Sequence, residues 1–218
     1  MMKKYDIIAF DLDGTLTNPE RGLIASYKYA FHKLGIPIEP DEKLRRFIGP
    51  PLYDEWQACY GLSPERAQEC VALFREHFSV YGWWDNELYP GVPEMLSGLR
   101  AAGKKIVLAT SKPEVFAKKI LELFGIAEYF DVVGAATLDH SREKKCEVLA
   151  YALKEAGATD LSKCILVGDR KFDAEGARIC GIDALGVLFG HGSREELEGE
   201  DFVALAKSAD EVLRLLSR

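Results

Sequence analysis

The amino-acid sequence predicts an α/β protein: a Rossmann-like parallel sheet core with an inserted α-helical domain. A short, β-prone apolar segment, 7–10, opens the chain and stops at an acidic turn. From about Tyr89 onward, short apolar strands alternate with helices, which is typical of a parallel sheet covered on both faces. Because the first strand needs partners, we expect a core formed by 1–15 and 89–218 and a helical domain at 16–88.

The inserted region has helical periodicity and no convincing strand. Each apolar stripe is followed by glycine or proline, which are typical helix ends. The last helix begins with Ser63 as its cap and Pro64 at its first position. The predicted helices span residues 24–34, 42–48, 52–60 and 63–81.

The rest of the chain predicts a regular alternation of helices and strands. The predicted helices cover 93–102, 112–124, 143–156 and 173–180, and the predicted strands cover 105–109, 130–133, 164–167 and 184–187. A capping-box pattern at Ser193 starts another helix, and a terminal helix follows at 209–217.

The composition argues against several classes of partner. The chain of 218 residues carries a net charge of −7, and its lysine pairs are isolated, so neither nucleic acid nor an anionic membrane is expected to bind. Its five cysteines lack C-x-x-C spacing, which favours free thiols in a reducing compartment. No segment approaches the roughly 20 apolar residues of a membrane span. We expect a cytoplasmic protein, either a monomer or a small homo-oligomer.

Polar side chains follow the predicted strands at their carboxyl ends, where open parallel sheets bind ligands. Asp11 and Asp13 follow the first strand, and residues two apart on a strand point to the same side. By themselves these two residues fit an Asp-Gly turn equally well. The other residues in such positions are Thr110, Ser111, Lys112, Asp169 and Asp173, and the helix at 143 opens with Lys144 and Lys145.

This set of side chains predicts a site for a hard cation and a phosphate group. Close carboxylates persist only when a cation or a shared proton compensates their charges. Carboxylate oxygens are the ligands that Mg²⁺ prefers, while the Thr110 hydroxyl, backbone amides and a lysine would hold phosphoryl oxygens. The sequence contains no Cys/His cluster typical of zinc and no G-x-x-x-x-G-K-[ST] segment.

The motifs resemble those of the haloacid dehalogenase-like (HAD) hydrolase superfamily. The segment Asp11-Leu12-Asp13-Gly14-Thr15-Leu16 resembles its first motif, Thr110 its second-motif hydroxyl, and Gly168-Asp169 with Asp173 its acidic fourth motif. The insertion follows the first motif, where this family carries a helical cap domain. The segments 45–51 and 110–113 are most similar to phosphoglycolate phosphatase-like and 5′-nucleotidase-like members.

The resemblance implies a role for each acidic residue. Asp11 would be the nucleophile that forms an aspartyl-phosphate. Asp13 would protonate the leaving oxygen and then act as base for water, and Thr110 would hold the phosphoryl group. Mg²⁺ would be the cofactor, bound by Asp11, by the backbone carbonyl of Asp13 and by Asp169, with support from Asp173.

The lysine of the third motif and the substrate contacts follow less directly from the resemblance. We favour Lys145 because an apolar helix face follows it directly, and Lys144 is the alternative. The expected substrate-binding residues are Gly14, Thr15, Ser111, Lys112 and, in the cap, Arg45 and Arg46. The alternatives are that Ser111 caps the following helix and that the two arginines are surface charges at a helix end.

The predicted activity is Mg²⁺-dependent hydrolysis of a small phosphomonoester, a phosphoglycolate- or nucleotide-like metabolite. One alternative is a phosphomutase of the β-phosphoglucomutase type. A second is a non-catalytic phospho-Asp signalling domain, which uses a similar set of residues but lacks a large helical insertion.

Overall fold

The core of the protein is a parallel β-sheet flanked by helices. The computed structural model describes residues 3–139 and 141–218. The sheet strands are β1 (Ile7–Phe10), β4 (Lys105–Pro113), β5 (Val132–Ala136), β6 (Cys164–Gly168), β7 (Asp183–Val187) and β8 (Phe202–Ala206), and two short strands, β2 (Thr17–Asn18) and β3 (Glu87–Leu88), form a separate sheet. The order in the large sheet is β5-β4-β1-β6-β7-β8, with all pairs parallel. The predicted fold class is confirmed.

Ten α-helices connect the strands in the described part of the chain. They are α1 (Glu20–Leu34), α2 (Asp41–Leu44), α3 (Leu52–Tyr60), α4 (Pro64–His77), α5 (Val92–Ala101), α6 (Glu114–Leu123), α7 (Lys145–Glu155), α8 (Lys171–Cys180), α9 (Arg194–Glu198) and α10 (Ala209–Leu216). Helix α4 continues into a π-helical turn at Phe78–Gly82. None of the helices among the described residues is long and apolar enough to cross a membrane.

Strand β1 lies at the centre of the sheet and is buried along its whole length. Its register places Phe10 beside Leu108 of β4 and Val167 of β6. Alternate residues of β1, Ile7 and Ala9, face a core formed with α7 and α8. Because β4, β1 and β6 are parallel neighbours, the residues that follow them lie together at the carboxyl end of the sheet.

The chain divides into two compact units. One contains the chain up to Asn18 together with Leu88–Arg218, and the other is the helical segment Pro19–Glu87. The helical unit packs around the fully buried Trp56, whose ring centroid lies 5.2–6.3 Å from those of four other aromatic residues. These residues are Tyr27, Phe31, Phe47 and Phe74.

Three sequence predictions about elements differ from the structure. The strands β2 and β3 lie within 16–88, where no strand was expected, because two residues are too few to show a periodic pattern. The helix expected from residue 112 begins at Glu114, because β4 continues to Pro113. Strand β8 was not predicted: it lies at the edge of the sheet and only Ala206 is buried, so it lacks the apolar run of the central strands.

Candidate active site

Asp11 directly follows β1 and remains attached to the sheet. Its backbone N–H donates to the carbonyl of Val167 at 2.9 Å, which continues the pairing with β6. The chain then turns sharply, since the N–H of Gly14 donates to the carbonyl of Thr17 at 2.7 Å. This turn holds Asp11 and Asp13 at the carboxyl end of the central strand.

Gly14 is required by both its conformation and its surroundings. Its φ of +88° lies in the left-handed region that side chains other than glycine rarely adopt. A Cβ atom at this position would overlap the carboxylate of Asp169. The backbone of the turn after β1 thus lies directly against the side chain of Asp169, the residue that follows β6.

Lys145, the first residue of α7, connects the central acidic residues. Its Nζ donates to Asp11 Oδ1 at 2.6 Å and to the carbonyl of Ala109 at 3.1 Å, and it lies 3.0 Å from Asp173 Oδ1. Burial disfavours the charged amine, but the charges of Asp11 and Asp173 outweigh this and raise the pKa of Lys145. Lys144 is exposed at the start of the same helix, so it is Lys145 that reaches Asp11.

Asp169 and Asp173 follow β6 and are buried almost completely. Asp169 Oδ2 accepts a hydrogen bond from the backbone N–H of His191 at 2.8 Å, and its Oδ1 accepts from the Thr15 hydroxyl at 3.3 Å. Asp173 Oδ2 accepts from the backbone N–H groups of Asp169 and Arg170, which fixes the start of α8. These contacts leave little freedom to either carboxylate.

The combined negative charge of Asp11, Asp169 and Asp173 exceeds the positive charge that the described residues beside them supply. Burial, followed by the charges of Asp173 and Asp11, raises the pKa of Asp169 well above its ordinary value. Burial also raises the pKa of Asp173, although Lys145 acts in the opposite direction. One oxygen from each of Asp11, Asp169 and Asp173 lies within 4.8 Å of the others. Three hard oxygen donors in such a group fit a bound divalent cation.

Asp13 has its own cationic partner. Lys112 Nζ lies 2.7 Å from Asp13 Oδ2, and the side chain of Lys112 is 4% exposed. Burial raises the pKa of Asp13 while Lys112 lowers it. The Thr110 hydroxyl oxygen accepts from the backbone N–H of Lys112 at 3.2 Å, which links these two residues near the end of β4.

The remaining predicted substrate-binding residues occupy different surroundings. Ser111 is exposed on β4, and because α6 starts after Pro113, Ser111 does not cap that helix. In the helical unit, Arg45 pairs with Glu20 at 2.8 Å and Arg46 pairs with Glu39. Both arginines are therefore held by carboxylates of their own unit.

The sequence did not predict the contribution of the segment after β7. Gly190 and Gly192 lie so close to Asp169 that a Cβ atom at either position would overlap it. The backbone of His191, between them, supplies the hydrogen bond to Asp169. A glycine on each side of one residue after a strand is the only sequence signal of such an approach.

The sequence of this chain is similar to those of known proteins. Residues 8–187 match the family model described as haloacid dehalogenase-like hydrolase. A 5′-nucleotidase of Pseudomonas aeruginosa is 40% identical over 195 residues, which cover 89% of this chain and 87% of the relative. The tyrosine-protein kinase PtkA of Mycobacterium tuberculosis is 37% identical over 192 residues, covering 88% of this chain and 65% of that protein.

A solved structure of a related protein is also similar to this chain in its fold. A protein described as a predicted phosphatase from Clostridium acetobutylicum superimposes with a TM-score of 0.91 at 36% identity, covering 97% of this chain and 98% of the other. The family match spans most of the chain and contains both the turn after β1 and the acidic loop after β6. The chain belongs to the haloacid dehalogenase-like hydrolase family and is therefore an enzyme.

Proposed function

We propose that the protein is a Mg²⁺-dependent phosphatase that hydrolyses a small phosphomonoester through an aspartyl-phosphate on Asp11. The observation that carries this proposal is the group of Asp11, Asp169 and Asp173, with the amine of Lys145 beside Asp11 and Asp173. A carboxylate that attacks a phosphate dianion needs its charge repulsion offset. The relatives named as a 5′-nucleotidase and a phosphoglycolate phosphatase support phosphate esters as substrates.

Two steps use the side chains at the end of β1. In the first, the Asp11 carboxylate attacks phosphorus, the bond to the leaving oxygen breaks, and Asp13 gives that oxygen a proton. In the second, water attacks phosphorus and passes a proton to Asp13, and the bond to Asp11 breaks to release phosphate. The Thr110 hydroxyl and the Lys145 amine would hold the phosphoryl oxygens during both steps.

The Asp11 carboxylate, the backbone carbonyl of Asp13 and the Asp169 carboxylate would hold Mg²⁺, with Asp173 in support. When bound, the ion supplies the positive charge that offsets the repulsion between carboxylate and phosphate. The hydrogen bonds to Asp169 from His191 and Thr15 would orient this ligand.

We assign the choice of substrate to the helical unit. In this proposal residues 16–88 form a cap domain. The α/β core would bind the phosphoryl group that all phosphomonoesters share, so the contacts that distinguish one substrate from another must come from elsewhere. Arg45 and Arg46 are the candidates to bind an anionic substrate group. To do so, Arg45 would have to leave Glu20, and Arg46 would have to leave Glu39. A comparison of kcat/KM across nucleoside monophosphates, phosphoglycolate and sugar phosphates identifies the preferred class.

Phosphate release from p-nitrophenyl phosphate tests the reaction. We expect EDTA to abolish turnover and Asp11→Asn to lower kcat by at least about 10³-fold, because both steps need the nucleophile. Asp6→Asn is the matched control, since Asp6 is exposed at the opposite end of β1 and its loss leaves kcat unchanged. Full activity of the Asp11 variant would overturn the proposal.

Two alternatives pass the phosphoryl group to an acceptor other than water. A phosphomutase passes it to a sugar phosphate, and the activity named for PtkA passes it to a tyrosine. Release of inorganic phosphate without an added acceptor, at a rate that neither a sugar bisphosphate nor a tyrosine peptide increases, distinguishes hydrolysis from both.

A further inference from the structure

Strand β4 contains a bulge beside the acidic cluster. Its pairing with β5 runs regularly to Thr110, which lies beside Ala135, but the next pair joins Pro113 to Ala136. Ser111 and Lys112 are therefore extra residues on the β4 side. Bulges redirect side chains, and here Ser111 is exposed while Lys112 is buried.

The bulge directs Lys112 to one oxygen of Asp13. Lys112 Nζ is 2.7 Å from Asp13 Oδ2, and the lysine side chain is 4% exposed. Asp13 Oδ1, in contrast, is buried and has no hydrogen-bond partner among the described residues. The two oxygens of this carboxylate therefore differ: one is paired with a buried cation, and the other is buried without a hydrogen-bond partner among the described residues.

We propose that Lys112 is a positioning residue for Asp13: by holding Oδ2 it fixes the orientation in which this carboxylate exchanges a proton with the leaving group. This assignment rests on the proposed function. It replaces the expectation from the sequence that Lys112 contacts substrate. A buried amine at this distance restricts rotation of the carboxylate about its Cβ–Cγ bond, which is the freedom that a general acid must lose.

The two roles for Lys112 predict different dependences on the leaving group. A lysine that contacts the phosphoryl group acts equally on every phosphomonoester. A lysine that acts through Asp13 matters most when the leaving oxygen needs a proton, as in an alkyl phosphate. It matters little when the leaving group is p-nitrophenolate, which departs as a stable anion.

The experiment compares Lys112→Met with the wild type on an alkyl phosphate and on p-nitrophenyl phosphate. We expect kcat/KM to fall about 100-fold on the alkyl ester and less than about 5-fold on the aryl ester, since proton transfer to the leaving group contributes only to the former. Lys112→Arg should recover part of the loss on the alkyl ester, because it restores the cation. In an Asp13→Asn background, Lys112→Met should have no further effect.

Lys104→Met is the matched control. Lys104 is also buried and lies next to β4, but it donates to the carbonyls of Tyr5 and Arg218 away from the acidic cluster. This variant should leave the ratio of the two kcat/KM values unchanged, and thermal unfolding shows whether each variant is folded.

Equal losses on both esters, no loss on either, or an undiminished loss in the Asp13→Asn background would overturn the assignment of Lys112. Failure of the proposed function has a different signature. In that case the wild type releases no phosphate from either ester, or Asp13→Asn itself keeps full kcat/KM on the alkyl ester.

Discussion

At the scale of single residues, the backbone around Asp169 leaves no room for side chains. Gly14, Gly190 and Gly192 all lie where a Cβ atom would overlap this residue. Asp169 is thus enclosed by main chain, and its hydrogen bond from the His191 N–H keeps the carboxylate aligned. The position of this carboxylate depends on glycines that contribute no chemistry of their own.

Gly14→Ala should impair both activity and stability. We expect kcat to fall about 100-fold, because the new methyl group displaces Asp169 from its place beside Asp11. Gly181→Ala is the control: it has a similar positive φ of 70° but open space around it. That variant should lose about 1 kcal/mol of unfolding free energy and keep its kcat. Steady-state kinetics and urea unfolding measure both effects, and full activity of Gly14→Ala would contradict this reading of the turn.

The sequence predicted those candidate site residues that act through their side chains. Asp11, Asp13, Thr110, Asp169 and Asp173 were found because polar residues at the ends of parallel strands converge, and Lys145 because an apolar helix face follows it. The structure brings Asp11, Asp169, Asp173 and Lys145 together, while the catalytic roles of all six stay predictions. His191 was missed because it acts through a backbone N–H, which every residue except proline has. The partner of Lys112 was missed because a bulge leaves no clear mark in the sequence.

At the scale of elements, the helical unit depends on one side chain of α3. Trp56 is fully buried among aromatic rings, with centroids 5.2 Å away at the closest. Its indole N–H has no hydrogen-bond partner within the described residues. The ring therefore contributes packing at the cost of a desolvated donor.

Replacing Trp56 separates these two contributions. Trp56→Ala should destabilise the protein by about 3–5 kcal/mol through the cavity that it leaves. Trp56→Phe keeps most of the ring and removes the unpaired donor, so we expect a loss of only about 1 kcal/mol. Urea unfolding measures both values. A phenylalanine variant as unstable as the alanine variant would show that the indole N–H carries no penalty.

Element boundaries were predictable where glycine or proline marks them. Helix α3 has the predicted bounds, with Pro51 before it and Gly61 in the left-handed conformation after it. The start of α6 was misplaced because Lys112 and Pro113 look like a helix start, whereas pairing with β5 keeps both in the strand. Local sequence does not report which neighbour a strand end will meet.

At the scale of the whole molecule, the cluster of Asp11, Asp169 and Asp173 makes stability depend on pH. Burial and neighbouring carboxylates raise the pKa of Asp169 above its ordinary value. The folded protein therefore binds this proton more tightly than the unfolded chain does. As pH rises above about 4, the folded state must lose a proton that it favours, so this residue lowers the unfolding free energy increasingly.

Asp169→Asn isolates this effect. Without divalent cations, we expect the variant to be more stable than the wild type, by a margin that grows as pH rises from about 4. Added Mg²⁺ should stabilise the wild type much more than the variant, since only the wild type keeps all three carboxylates. Melting temperatures at several pH values, with EDTA or Mg²⁺, test both statements. An equal response of the two proteins to Mg²⁺ would contradict the proposed ion site.

The central position of β1 also has a consequence for how the chain folds. Its two partners in the sheet begin at Lys105 and Cys164, far along the chain from Ile7. During synthesis β1 cannot be paired on both sides until β6 has also emerged. Contacts between such distant segments slow folding, because long loops must close before any pairing energy is gained. Strand β1 is made before its partners but reaches its final surroundings after them, and Asp11, which bonds to Val167 of β6, takes its place only then.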